Sequence, residues 1–214
     1  MPKLRALNYA MSLDGFVAGP DQSIDNPLGV GGEELHEWVF QTKYWHEMTG
    51  EAGGETGIDD DFIRAGFDGI RAWIMGRNMF GPIRGEWGDT DWKGWWGDEP
   101  PYHFPVFVLT HYPHEPIEMK GGTTFYFVTD GIEAALERAV EAAGDGDIRL
   151  GGGASTVQQY VKAGHLDELH VPVSPVFLGS GERLFDGLGD AMDGYEAEIT
   201  SSPRVAHMRF LRKA

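Results

Sequence analysis

The chain has 214 residues, of which 41% are hydrophobic, and carries a formal net charge of −17 from 34 acidic and 17 basic residues. This length and composition exclude a disordered chain, and the negative field argues against nucleic acid and anionic membranes as partners. The chain has no cysteine, which excludes disulfides, a thiol nucleophile and cysteine-ligated zinc.

The first third of the chain predicts one strand and two helices. Apolar residues alternate over 7–13, as in a strand, and Asp14-Gly15 then marks a bend. A loop rich in glycine, proline and aspartate follows over 21–32. One apolar face predicts a helix from near Glu33, and a second, short helix is expected over 60–67 with acidic residues in its first turn.

The middle and end of the chain alternate between strands and helices. Three continuous apolar runs are typical of strands buried on both faces: Ala72–Met75, Val106–Leu109 and Phe125–Val128. A capping box predicts a helix after Asp130, a short strand covers Ile148–Leu150, and the next helix ends at Gly164. Strands are also expected over 169–173, where Pro172 indicates a strand end or a sheet edge, and over 205–211.

This order of elements predicts an α/β fold. Strands separated by helices favour a mixed, mostly parallel central sheet with helices on both faces. The last strands have no helix between them, so we expect an antiparallel C-terminal edge. There is no repeat or low-complexity linker, and residues 1–214 are predicted to form a single domain.

Leu150-Gly151-Gly152-Gly153-Ala154-Ser155-Thr156 is the strongest functional signal. Glycines between a strand and a helix let the backbone approach a ligand, and the helix N-terminus presents unpaired N–H groups to an anion. The pattern suits a pyrophosphate, although Thr156 stands where the Rossmann fingerprint needs a third spaced glycine. The structural alternative is a tight turn and nothing more.

Two further strand ends carry polar residues. Gly76-Arg77 follows a buried strand, and an arginine at a helix N-terminus opposes the helix dipole unless an anion neutralises it. Thr110-His111 follows the next buried strand, where ligands of open α/β sheets gather. Each could instead be a surface or turn residue. His111 and His114 have no third ligand nearby, so no metal site is expected.

Four tryptophans fall within ten residues of a long loop over 85–104: Trp87, Trp92, Trp95 and Trp96. They would roof a substrate site, bury a dimer interface or form a small core under the loop. The N-terminus has no signal-peptide pattern and no run is long enough to span a bilayer, so the cytoplasm is the expected location.

Several of these segments match a known family in order along the chain. They are Ser12–Ala18, Met75-Gly76-Arg77, Gly151-Gly152-Gly153, Asp167-Glu168-Leu169 and Pro175–Gly181. From about Leu4 to Leu211 the chain resembles the dihydrofolate-reductase-like superfamily. Within it, the chain is more similar to the reductase domain of the bacterial riboflavin-biosynthesis deaminase-reductase and its stand-alone relatives.

The resemblance implies an NADPH site spread over these turns. Gly76, Arg77 and Asn78 would face the adenosine phosphates. Leu109, Thr110 and His111 would lie near the 2′-phosphate. The pyrophosphate would be held by Gly151, Gly152, Gly153, Ala154, Ser155, Thr156 and Val157. Tyr9, Ala10 and Val17 would line the nicotinamide pocket.

Hydride transfer to an imine or a carbonyl also needs a proton source. Asp14 ends the first predicted strand, and Asp61 opens the short helix that borders the substrate in this superfamily. They are the candidate acids, with Asp59 and Asp60 interpreted as helix caps. Near a nicotinamide, such a carboxyl group is expected to have a raised pKa.

We therefore predict an NADPH-dependent oxidoreductase that transfers hydride to a small pterin-like, pyrimidine-like or carbonyl substrate. It would be similar to 5-amino-6-(5-phosphoribosylamino)uracil reductase or to dihydrofolate reductase. The alternative is a nucleotide-binding protein of the same fold without catalysis. The resemblance also implies a homodimer that pairs through sheet edges, around Val171 and Phe210.

Overall fold

The computed structural model describes residues 2–81, 85–88 and 91–213. The strands, in chain order, are β1 (Leu4–Ala6), β2 (Met11–Ser12), β3 (Phe16–Ala18), β4 (Ile70–Gly76), β5 (Pro105–Leu109), β6 (Ile117–Glu118), β7 (Thr124–Val128), β8 (Asp147–Leu150), β9 (Glu168–Ser174), β10 (Glu182–Arg183), β11 (Tyr195–Ser201) and β12 (Ala206–Arg212). The α-helices are α1 (Glu37–Phe40), α2 (Lys43–Thr49), α3 (Ile58–Ala65), α4 (Arg77–Phe80), α5 (Gly131–Ala143) and α6 (Ala154–Lys162), and 3-10 turns cover Gly32–His36 and Lys120–Gly122.

The chain forms two compact units, which are described separately. The first contains residues 2–5 and 69–166, and the second contains residues 6–68 and 167–213. No helix in the described ranges is long and apolar enough to cross a membrane.

The first unit is built on a sheet in the order β1–β8–β4–β5–β7–β6. Its first five strands are parallel neighbours, and β6 is antiparallel to β7. Two of the apolar runs predicted as buried strands lie at the centre of this sheet: residues 72–76 of β4 are all buried, as are residues 106–108 of β5. The third run forms β7, but its prediction as a strand buried on both faces is wrong, because Tyr126 is exposed. Helix α5 packs on β4 and β5. Continuous burial explains why these strands show no alternation.

Two predicted helix ends in this unit had different outcomes. Gly164 closes α6 with a left-handed φ of 70°, which confirms the predicted glycine stop. The capping box before α5 is wrong, because Asp130 makes no side-chain cap bond. Its carboxylate instead pairs with Arg138 at 3.2 Å, and Glu133 pairs with His165 at 2.8 Å.

The second unit is organised around β9. β12 lies antiparallel to β9, β11 lies antiparallel to β12, and β2 runs parallel to β9. This confirms the antiparallel C-terminal strands. β3 and β10 form a separate antiparallel pair. Pro172 was expected at a strand end or a sheet edge, but it is buried within β9, opposite His207 of β12, and β9 pairs on both sides.

The strand predicted over 7–13 is shorter than expected. Asn8 adopts a left-handed φ of 58° and ends the extended conformation, so that β2 begins again only at Met11. Asparagine tolerates this conformation better than most residues. The fold is otherwise the predicted class, a mixed α/β protein with a mostly parallel central sheet, helices and an antiparallel set of edge strands.

Candidate functional site

The carboxyl ends of three neighbouring strands bring the predicted phosphate-binding turns together in the first unit. Gly76 at the end of β4 is the register partner of Leu109 in β5, and Ile74 pairs with Leu150 in β8. The turn after β8 continues along β4, because the Gly76 N–H donates to the Gly152 carbonyl at 2.5 Å and the Gly151 N–H donates to Ile74 at 2.7 Å. Gly76, Leu109 and Gly151–Gly153 therefore lie together at the edge of the sheet that the carboxyl ends of the strands form.

The glycines of this edge serve two different purposes. A Cβ at Gly76 would lie 2.4 Å from the Thr156 hydroxyl, and one at Gly151 would lie 2.4 Å from Trp73 Nε1 and 2.6 Å from Met79 Sδ. Both positions exclude a side chain because of protein packing. A Cβ at Gly153, in contrast, would meet no heavy atom within 4 Å. The space that a ligand could use is therefore beside Gly153.

Helix α6 begins directly after this open position. The Thr156 and Val157 N–H groups point back to the Gly153 carbonyl at 3.0 and 3.2 Å. Ala154 and Ser155 occupy the first turn, where helix geometry supplies no earlier carbonyl for their N–H groups. The first turn and the positive end of the helix dipole adjoin the open space, which is an arrangement that suits a phosphate group. The peptide bond between Gly152 and Gly153 is cis.

Arg77 begins α4 as predicted, but contacts within the chain hold its guanidinium group. The group lies 3.7 Å from the ring centroid of Trp87 and 5.4 Å from that of Tyr112, and it donates to the Gly85 carbonyl. Cation–π contacts of this kind stabilise a charge without an anion. Asn78, next to it in α4, is half-buried.

Thr110 and His111 differ in their surroundings at the end of β5. The buried Thr110 hydroxyl accepts from the Tyr112 N–H at 3.2 Å, so it stabilises its own turn. His111 is exposed. Of this pair, the histidine is therefore the side chain that is open to a ligand.

The tryptophans of the long loop pack into a small aromatic core of the first unit. Trp87 packs edge-on against Phe80 and Phe127, and its indole N–H donates to the Tyr112 carbonyl at 2.9 Å. Trp92 donates to the Phe80 carbonyl at 2.9 Å, and Trp96 stacks on Phe125. These contacts favour the third alternative, a core under the loop.

The residues predicted to line the nicotinamide pocket belong to the second unit. Ala10 is buried, Val17 is half-buried in β3, and the Tyr9 N–H donates to the His170 carbonyl at 3.0 Å. Burial raises the pKa of the Tyr9 phenol well above its ordinary value, and the charge of Glu182 adds to the effect. Tyr9 therefore keeps its proton at physiological pH.

Asp14 anchors a loop of the second unit. Its carboxylate accepts from the Ser12 hydroxyl at 2.6 Å and from the N–H groups of Leu178 and Gly179 at 3.1 and 2.7 Å. The bond from Ser12, together with those backbone bonds, lowers the pKa of Asp14. The raised pKa expected for this candidate acid is therefore wrong, because these donors stabilise the charged form.

The three aspartates of α3 differ in their surroundings. The helix is capped at Gly57 with no side-chain bond, so the interpretation of Asp59 and Asp60 as caps is wrong. Asp60 accepts from the Tyr44 N–H at 2.6 Å and from Arg64 at 2.9 Å, and Asp59 accepts from His207 at 2.8 Å. Asp61 is exposed. Of the three, Asp61 has the carboxylate open to a substrate.

Sequence reasoning missed two buried histidines, His170 in β9 and His207 in β12. Their exposed fractions are 2% and 0%, and they contact each other at 3.0 Å. The available signal was that each histidine lies within a predicted strand and has apolar residues on both sides of it in the sequence. Within the described ranges, no group of three or more potential ligands could hold a metal ion.

The chain has a dihydrofolate-reductase-like α/β fold. Several solved structures share this fold. A putative riboflavin biosynthesis protein from Shewanella sp. PV-4 has 22% identity and a TM-score of 0.60, with 100% of both chains covered. Dihydrofolate reductase from Enterococcus faecalis, complexed with NADP(H), has 14% identity and a TM-score of 0.52, with 99% of this chain and 97% of that chain covered.

A third structure is a longer protein, the diaminohydroxyphosphoribosylaminopyrimidine deaminase/5-amino-6-(5-phosphoribosylamino)uracil reductase of Thermotoga maritima. It has 14% identity and a TM-score of 0.56, and the match covers 99% of this chain and 57% of that protein. No curated protein matches the sequence.

The family model of the RibD C-terminal domain matches residues 3–206. The chain therefore belongs to the RibD C-terminal domain family, which confirms the predicted resemblance. Together with the fold, this membership supports an oxidoreductase of that family, a reductase.

Proposed function

We propose that the protein is an NADPH-dependent reductase that transfers hydride to a small pterin-like, pyrimidine-like or carbonyl compound. The open space at Gly153, beside the N-terminus of α6, is the observation that carries this proposal. A structural relative is a dihydrofolate reductase complexed with NADP(H), which supports a nicotinamide cofactor. When bound, NADPH supplies the hydride.

The chain's own residues would divide the binding of the cofactor. Gly153, Ala154 and Ser155 would hold the pyrophosphate by their backbone N–H groups. The chain has a net charge of −17, so a bound anion needs such donors close to it. Arg77 and His111 would lie at the adenosine end. Tyr9, Ala10 and Val17 would contact the nicotinamide ring.

Binding and turnover test the proposal separately. Quenching of the seven tryptophans during titration measures the affinity for NADPH. A panel of dihydropterins, aminopyrimidines and small carbonyl compounds is then screened by the loss of nicotinamide absorbance. Turnover of one compound supports the reductase. Binding without any turnover supports the alternative, a nucleotide-binding protein without catalysis, and the absence of NADPH binding overturns both.

Arg77→Ala is expected to lower the ratio of the affinity for NADPH to the affinity for NADH by about tenfold. A charge-assisted bond to the 2′-phosphate is worth about 1.5–3 kcal/mol, and part of this is offset by the contact with Trp87 that the arginine gives up. Fluorescence titration of both coenzymes measures the ratio. Arg77→Lys keeps the charge, and Arg71→Ala is a control that removes an exposed arginine from β4, the strand before α4. Equal wild-type affinities for NADPH and NADH would contradict the assignment.

We also propose a homodimer that pairs through the edge strand β11. The prediction that the strands around Val171 and Phe210 supply the pairing edge is wrong. β9 and β12 are interior strands, and β11 is the outermost strand of the second unit. Ile199 on β11 is 65% exposed. Sedimentation velocity at micromolar concentration should show a dimer in the wild type and a larger monomer fraction in Ile199→Glu. A wild-type monomer would refute the pairing.

A further inference from the structure

Four polar side chains form a hydrogen-bonded line inside the second unit: Asp59, His207, His170 and Asn8. His207 Nε2 lies 2.8 Å from Asp59 Oδ1, and His207 Nδ1 lies 3.0 Å from His170 Nε2. His170 Nδ1 lies 3.3 Å from the Asn8 backbone nitrogen. The two histidines and Asp59 are all buried. We call this line the histidine relay.

Aromatic rings hold the two imidazoles in place. Phe62 stacks on His170 with ring centroids 4.5 Å apart and on His207 with centroids 4.1 Å apart. Trp38 meets His207 edge-on at 5.3 Å. Neither ring can rotate without losing a stacking partner and a hydrogen bond, so the relay is rigid.

The carboxylate of Asp59 determines the direction of every bond in the relay. A carboxylate only accepts hydrogen bonds, so His207 Nε2 carries a hydrogen and donates a hydrogen bond to Asp59. Burial lowers the pKa of His207, although Asp59 opposes the effect, and the ring is therefore neutral at physiological pH. His207 Nδ1 then accepts from His170 Nε2, which leaves His170 Nδ1 as an acceptor.

Asn8 completes the relay as its last donor. Its side-chain amide also lies beside His170 Nδ1, with the oxygen at 3.1 Å and Nδ2 lacking a partner among the described residues. Since Nδ1 is an acceptor, half a turn of the amide would place Nδ2 beside it in place of the oxygen. Gly66 leaves the room for this amide, because a Cβ there would lie 2.0 Å from Nδ2.

The relay ends on the segment that the proposed function assigns to the nicotinamide ring. His170 takes the Asn8 N–H on its ring and the Tyr9 N–H on its carbonyl, at 3.3 and 3.0 Å. Asn8 is the left-handed residue that interrupts the strand between β1 and β2, and Ala10 follows two residues later. The path of residues 8–10 therefore depends on His170.

We propose that His170, held in place by His207 and Asp59, is a positioning residue that sets the backbone of residues 8–10 for hydride transfer. This inference rests on the proposed function, since it needs the nicotinamide ring to lie against that segment. Displacing a bound ring by a fraction of an ångström lowers the rate of the chemical step more than it lowers binding. The turn proposed for the phosphate end is not part of the histidine relay, so binding of that end should be unaffected.

The test uses His207→Phe, which keeps an aromatic ring against Phe62 and Trp38 but removes both hydrogen bonds of His207. We expect kcat to fall about tenfold or more, while the affinity for 2′,5′-ADP, a probe of the phosphate end alone, stays within about twofold of wild type. His207→Gln restores a donor toward Asp59 and should recover part of kcat. Ser174→Ala is the matched control, because it removes another buried hydrogen bond of β9, the one to the Leu35 carbonyl at 2.9 Å.

A second measurement does not depend on activity. In the wild-type protein without cofactor, ¹⁵N spectra of labelled histidine should show both His170 and His207 protonated at Nε2 and bare at Nδ1. A proton on His170 Nδ1 would overturn the relay. Wild-type kcat in a folded His207→Phe variant, or equal losses in His207→Phe and Ser174→Ala, would overturn the positioning role. If wild type binds neither NADPH nor 2′,5′-ADP, the proposed function fails instead.

Discussion

Gly153→Val is expected to weaken NADPH binding at least about a hundredfold, equivalent to about 2.7 kcal/mol, while the protein stays folded. Gly153 has φ −79° and ψ −166°, an extended conformation that residues with a side chain also adopt. The new side chain would meet no protein atom within 4 Å of its Cβ, so it projects into the open space beside α6. That is the space assigned to the pyrophosphate.

Size and position both serve as controls for this substitution. Gly153→Ala adds one carbon atom and should give a smaller loss. Gly194→Val places the same side chain at another glycine where a Cβ meets nothing within 4 Å, and it should bind like wild type. Tryptophan fluorescence measures the affinity, and circular dichroism checks the fold. A folded Gly153→Val variant with wild-type affinity would show that the cofactor does not use this turn.

Asp61→Asn is expected to lower kcat by about two orders of magnitude, with cofactor affinity unchanged. Asp61 is the exposed carboxylate of α3, whereas Asp59 and Asp60 are buried and bonded to His207 and Arg64. We expect the Asp61 carboxyl group to face the substrate, where it would donate a proton as hydride arrives. Asparagine keeps the shape and removes the proton.

Steady-state kinetics with a compound that the wild type reduces provides the measurement. Asp68→Asn, an exposed aspartate shortly after the same helix, is the matched control and should leave kcat unchanged. Asp14→Asn is a less direct probe, because Asp14 holds the turn at Leu178 and Gly179. Unchanged turnover in Asp61→Asn would remove Asp61 from the proton pathway and leave Asp14 as the candidate acid. Unchanged turnover in both variants would leave proton delivery to water or to a residue interpreted as structural.

The sequence predicted most of the first unit because its signals are local. The central parts of β4 and β5 are buried on both faces, so each appears as an unbroken apolar run that needs no knowledge of its neighbours. The helix stop at Gly164 is likewise a local requirement of the backbone. The family followed from five short segments in order along the chain, from Ser12–Ala18 to Pro175–Gly181, and the fold class followed from the order of strands and helices.

Tertiary structure decided what the polar residues do, because their partners lie far away in the chain. Asp59 bonds a histidine 148 residues later, and Asp14 bonds a turn more than 160 residues later, so their spacing alone suggested a cap and an acid. Gly151 and Gly153 belong to one motif, and the sequence does not distinguish them. The packing does, because Trp73 excludes a side chain at Gly151 whereas Gly153 faces open space. Local sequence determines which apolar runs are buried and where the backbone turns, whereas the protonation and bonding of a buried polar group depend on which distant donors and acceptors the fold places beside it.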